Sequence, residues 1–144
     1  MTNEASAIQH HQMIPDVMEH LGRVHGMLRE HGLDPRLSHL IELRISQING
    51  CAFCVKMHSR DARKDGESND RLDRLAVWRH VGDFSPAEKA AFAWAEALTY
   101  LERETDYGPL RAALREHYSD ETISLITTCV AMINLWNRVQ ISTH

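Results

Sequence analysis

The 144-residue chain has no basic excess, no long apolar run and only three cysteines. Each shortage excludes something. Sixteen Lys and Arg stand against twenty Asp and Glu, a formal charge of −4. A protein that grips a phosphate backbone usually carries a surplus of positive charge, so no nucleic-acid partner is expected. No apolar run approaches the roughly 18 residues that read as a bilayer span, so no membrane partner is expected either. The opening MTNEASAIQHHQM lacks the basic start and apolar stretch of a secretory signal, and a cytoplasmic, reducing location follows as the expectation. An odd number of cysteines, at 51, 54 and 129, does not make a disulfide scaffold. In a reducing compartment a close Cys pair points instead to redox or metal chemistry. No segment alternates with period two, and no repeat or low-complexity tract is present.

What remains is the composition of one ordinary domain, with 43% hydrophobic and 25% charged residues. The ten His are the unusual entry; protonating all of them would carry the net charge from −4 to +6, so the charge state is sensitive to pH near 6. Residues 1–13 are polar and read as a flexible N-terminal arm. Residues 14–144 read as one helical domain. Pro15-Asp16 suits a first helical turn, with Val17, Leu21, Val24 and Leu28 on one face. Asp34-Pro35 caps and starts a second helix carrying Leu37, Leu40, Ile41 and Ile48. Asn49-Gly50 ends it, and a third begins at or near Cys51. A fourth carries Leu72, Leu75 and Trp78. Ser85-Pro86-Ala87-Glu88 is a capping box for a fifth, with Ala91, Trp94, Leu98 and Leu101 facing inward. A short segment follows Pro109. Ser119-Asp120 opens a long last helix with Ile123, Ile126, Val130, Ile133 and Val139. The fold class is therefore all-α, a single-domain bundle of about six to seven helices.

The informative stretch is Ser46-Gln47-Ile48-Asn49-Gly50-Cys51-Ala52-Phe53-Cys54-Val55-Lys56-Met57-His58. A sulfur in a first helical turn lies near unsatisfied N–H groups and the positive helix end, both of which favour thiolate. Cys54 is three residues on, within disulfide reach of Cys51. His58 lies one turn past Cys54 on the same face, where it can accept the thiol proton. Two rival readings use the same residues. Two buried Cys can act as small hydrophobes beside a core His58. Alternatively, Cys51, Cys54 and His58 can bind zinc, which needs a fourth ligand from elsewhere, such as His39 or a His on another subunit. Haem attachment in its usual form is excluded, because Val55 rather than His follows the second Cys. Cys129 reads as core. Trp78, Trp94 and Trp136 read as packing residues.

The run LRISQINGCAFCVKMH resembles the core motif of the alkylhydroperoxidase D family, within the carboxymuconolactone decarboxylase-like superfamily. A weaker likeness extends over about residues 15–140, including Asp34-Pro35-Arg36-Leu37 and Ile133-Asn134-Leu135-Trp136-Asn137-Arg138. The resemblance implies an all-helical fold and a homo-oligomer, trimer or hexamer. It also implies a peroxiredoxin-type oxidoreductase that needs no cofactor or metal. Such an enzyme reduces a small hydroperoxide and draws electrons from a dithiol or lipoyl-carrier reductant. By position, Cys51 and Cys54 match the redox pair and His58 the relay His. The family's relay Glu, twelve residues before the first Cys, is replaced by His39, and the His that can stand between the two Cys is replaced by Phe53. Glu42 shares a helix face with His39, and although Glu is ordinarily a solvated charge, either residue can stand in for the acid. The superfamily's decarboxylases lack the Cys pair, which argues against lactone decarboxylation.

In the resulting mechanism His58 deprotonates Cys54, the thiolate attacks peroxide to form a sulfenic acid, and Cys51 condenses with it. Spacing from His58 favours Cys54 as the attacker; the helix-end effect favours Cys51. Two other classes stay open: a redox-sensing or disulfide-exchange protein without peroxide turnover, and a non-catalytic oligomeric module with a zinc-bound Cys pair.

Overall fold

Capping chemistry sets most helix starts. Asp34 accepts a hydrogen bond from the Arg36 N–H at 3.0 Å, ahead of Pro35 in the first turn. Ser85 and Glu88 close a reciprocal capping box, and Ser119 accepts from the Thr122 N–H at 3.1 Å. Such caps each stabilise a helix by about 0.5–2 kcal/mol. The structure, a computed structural model, describes residues 4–144. Among them are eight α-helices: α1 (His10–Met13), α2 (Pro15–Glu30), α3 (Pro35–Asn49), α4 (Ala52–Lys64), α5 (Asn69–Arg74), α6 (Pro86–Tyr100), α7 (Tyr107–Arg115) and α8 (Asp120–Ile141). No described helix is long and apolar enough to cross a membrane.

The α-helix count exceeds six to seven by one, at α1. His10–Met13, expected within the loose arm, is helical, and His10 Nε2 meets Ser142 Oγ at 2.8 Å, which ties the segment to the end of α8. Residues 1–3 of that arm lie outside the described residues. The expected fourth helix is broken, with α5 giving way to a 3₁₀ segment at Leu75–His80. Leu72, Leu75 and Trp78 step by three, which is the 3₁₀ period, and all three are buried. The Trp78 Nε1–H donates to Glu96 on α6 at 3.0 Å, and Arg44 on α3 donates to the same carboxylate at 2.8 Å.

The organising element is α3, which packs against α4, α6 and α8. Leu37, Leu40, Ile41, Leu43 and Ile45 are buried, and so are Ser38, His39, Glu42 and Ser46. A helix buried nearly all round is central, and each fully buried Leu or Ile contributes about 1.5–3 kcal/mol. Four polar side chains inside such a helix each demand a partner. Ser46 Oγ donates to the Glu42 carbonyl and accepts from Asn137 Nδ2 on α8 at 3.0 Å. Asn49 Nδ2 donates to Asn134 and Asn137 Oδ1, both at 2.9 Å. This buried network pins the C-terminal end of α3 to α8.

The end of α3 then sets the start of α4. Gly50 adopts φ 71°, the left-handed conformation, and the Cys51 N–H returns to the Ser46 carbonyl at 3.1 Å. That reversal leaves Cys51 extended, as the N-cap of α4. A Cβ on Gly50 would meet nothing within 4 Å, so substitution there is opposed by backbone conformation alone. Gly50→Ala is expected to lower stability by about 1–2 kcal/mol, read as a fall in thermal midpoint. The disulfide should still form, because no neighbour has to move.

Candidate active site

Cys51 and Cys54 are joined as a disulfide with Cα atoms 5.3 Å apart, inside the usual Cα span of a disulfide. Cys51 Sγ also caps α4, accepting from the Cys54 N–H at 3.3 Å. Its sulfur therefore sits at the positive helix end, as the sequence predicts. Both residues are buried, at 0% and 1% exposure. Cys54 nevertheless lines a cavity of about 430 Å³, and Cys51 does not. The cavity lies between α2, α3, α4 and α8; its apolar wall includes Met18, Leu28, Phe53, Met57, Ile133 and Trp136.

His58, one turn past Cys54 on α4, is buried and lines the same cavity. Its Nδ1 lies 2.9 Å from Glu42 Oε2 on α3. The approach is off the N–H direction, so the contact is an ion-pair geometry rather than an aligned hydrogen bond. Burial opposes ionisation of Glu42, but the contact with His58 holds its carboxyl below the ordinary carboxylate range. Glu42 is therefore not the solvated face charge that its residue type suggests. α4 covers one side of α3, and the carboxylate is enclosed between His58 and Cys129.

The other Glu42 oxygen faces Cys129, with Sγ–Oε1 at 3.7 Å. Burial, followed by the Glu42 charge, pushes the Cys129 thiol well above its usual range, so it stays protonated. Cys129 is buried, as expected for a core residue, but it also lines the cavity. His39 is buried on α3; its Nε2 meets Asp65 Oδ2 at 2.6 Å and its Nδ1 has no hydrogen-bond partner. His25 on α2 is a site residue that sequence reasoning missed. Burial lowers its pKa, offset in part by Glu42, and its Nε2 accepts from the Trp136 Nε1–H at 2.9 Å. An acceptor Nε2 means a neutral ring with its proton on Nδ1. Trp136, expected as plain packing, forms cavity wall and stacks on His11 at 6.2 Å between ring centroids. Trp78 and Trp94 are buried in the core.

The structure thus gathers Cys51, Cys54, His58, His39 and Glu42 at one place where α3, α4 and α8 meet. A sequence model of the carboxymuconolactone decarboxylase family matches residues 15–97, which include all five. The chain belongs to the carboxymuconolactone decarboxylase family, in its alkylhydroperoxidase D-like group. Among curated relatives of this family, uncharacterized protein YdfG of Bacillus subtilis is 33% identical over 135 residues, covering 94% of this chain and 92% of that one. Uncharacterized protein YnjA of Escherichia coli is 32% identical over 103 residues, covering 72% of this chain and 56% of that one. Among solved structures, ATU0492 of Agrobacterium tumefaciens is a protein of unknown function suggested to be an antioxidant defence protein AhpD. It superposes with a TM-score of 0.89 at 35% identity over 96% of this chain and 94% of its own. The debrominase Bmp8, solved with 2,3,4-tribromopyrrole, shares the fold at a TM-score of 0.80 and 18% identity, over 99% of this chain and 90% of its own. Enzymes therefore occur on this alkylhydroperoxidase D-like scaffold.

Proposed function

We propose that the protein is a thiol-dependent peroxidase of the alkylhydroperoxidase D type. The observation that carries the reading is that Cys54 alone of the redox pair faces the cavity, on the wall it shares with His58 and Glu42. His58 takes the Cys54 proton, with Glu42 supporting the imidazolium. The thiolate attacks the terminal oxygen of ROOH; the O–O bond breaks, sulfur is oxidised to Cys54–SOH, and RO⁻ takes a proton to leave as ROH. The Cys51 thiol attacks Cys54–SOH, expelling water and forming the disulfide. A dithiol reductant then restores both thiols and becomes a disulfide itself. A lipoyl group on a carrier protein fits that task, because both sulfurs are buried and a slender arm can enter the cavity where a folded partner's surface cannot. The helix-end argument for Cys51 describes the resolving sulfur in this reading, a good leaving group during reduction. The burial also disfavours the rival role of exchange with folded protein thiols.

A homo-oligomer, trimer or hexamer, working in the cytoplasm is part of the same proposal. The test is consumption of a small organic hydroperoxide by the purified protein with a dihydrolipoyl reductant in excess. Sustained consumption proportional to enzyme is expected. Dithiol oxidation no faster than in the enzyme-free control would reject the peroxidase reading and leave the redox-sensing one.

A further inference from the structure

We propose that His39, Glu42 and His58 form a binding site for a divalent cation of the zinc class, distinct from any site made by the cysteine sulfurs. One ligand atom from each of the three residues lies within 4.8 Å of the others, and all three residues are buried. Two imidazoles and one carboxylate are a donor set suited to zinc and its first-row neighbours. The second observation is at His39. Its Nε2 is engaged by Asp65 Oδ2 at 2.6 Å, and its Nδ1 is buried with no partner. A carboxylate accepting from one ring nitrogen fixes the tautomer and leaves the other as a bare lone pair, the arrangement that outer carboxylates impose on metal-binding His. His58 Nδ1 is likewise buried without an aligned hydrogen bond, 2.9 Å from Glu42 Oε2. Ligand atoms about 2.0–2.1 Å from a tetrahedral ion stand roughly 3.3 Å apart, so this pair is already near its bound spacing. The third donor, a ring nitrogen of His39, lies within 4.8 Å of both. His25 does not join the set, because its Nε2 lone pair is taken by Trp136.

Three protein ligands leave a fourth position open toward the cavity, as in zinc sites that hold water or a small ligand. The proposal does not depend on peroxide turnover. An ion there and the proton role of His58 exclude each other, since both draw on the same imidazole and carboxylate, so occupancy silences the thiol chemistry.

The test uses full-length protein stripped with EDTA and held in the disulfide form, in which the redox pair cannot supply thiolates. Zinc is titrated by calorimetry, and cobalt by the visible bands that mark four-coordination. One ion per chain is expected. His39→Ala and His58→Ala should each weaken binding more than about tenfold, and Asp65→Asn, which touches only the outer carboxylate, by about 10–100-fold. The Asp65 side chain is 43% exposed, so that variant keeps its packing even where a buried substitution does not fold. A Cys51→Ser, Cys54→Ser double variant should bind as the parent does. No ion taken up would overturn the proposal. So would uptake unchanged in both His39→Ala and Asp65→Asn, which marks adventitious capture by surface histidines, or uptake lost in the double Cys variant.

Discussion

Cys54→Ser is expected to abolish dithiol-driven hydroperoxide consumption, leaving no rate above the enzyme-free control. The hydroxyl is of similar size, so the cavity wall is preserved. A serine oxygen neither ionises near neutral pH nor cycles through a sulfenic acid, so the redox electrons have nowhere to reside. Cys51→Ser should behave differently. Cys54 still faces the cavity and still reacts once with peroxide, but its sulfenic acid has no partner, so the reaction stops after one stoichiometric event. Stopped-flow peroxide consumption with each reduced variant separates the two. A full single turnover in Cys54→Ser and none in Cys51→Ser would reverse the assignment.

The second large effect is at His58. Removal of a positioned base typically costs 10²–10⁴-fold, and His58→Ala is expected within that span on the rate of Cys54 oxidation. Glu42→Gln should cost less, roughly tenfold or more, because the imidazole remains and loses only the buried charge 2.9 Å away that supports its protonated form. The combined variant should lose little more than His58→Ala alone, since the carboxylate acts through the imidazole. Rates near wild type in His58→Ala, with the disulfide intact, would reject the assigned role.

Much of this was legible in the chain because it is written in local chemistry. The starts of α3, α6 and α8 follow from Asp34-Pro35, Ser85-Pro86 and Ser119-Asp120, and Gly50 marks the reversal that makes Cys51 an N-cap. Features set by tertiary packing were not. Leu28 is buried as expected, but Val17, expected on the same inner face of α2, is 45% exposed and Met18 is buried in its place, because α2 turns the Met18–His25 side toward the cavity. Leu101 was expected to face inward, but the chain adopts a left-handed turn there and leaves it 63% exposed. Glu42 is the instructive case. At i, i+3 from His39, on a helix that also carries Arg36, Arg44, Gln47 and Asn49, it reads as surface charge. Only the docking of α4 across α3, fixed by the one-residue turn after Gly50, encloses it beside His58. Ser38, His39, Glu42 and Ser46 recur at helical spacing along one face of α3, and the structure buries all four.

The most direct test of the central claim is a thiol count on fully reduced protein before and after one equivalent of a small organic hydroperoxide. The chain has three cysteines. The account predicts three titratable thiols under denaturing conditions falling to one, with peptide mapping placing the survivor at Cys129 and the new bridge between Cys51 and Cys54. Three thiols still free after the peroxide is added, or a bridge that includes Cys129, would contradict it.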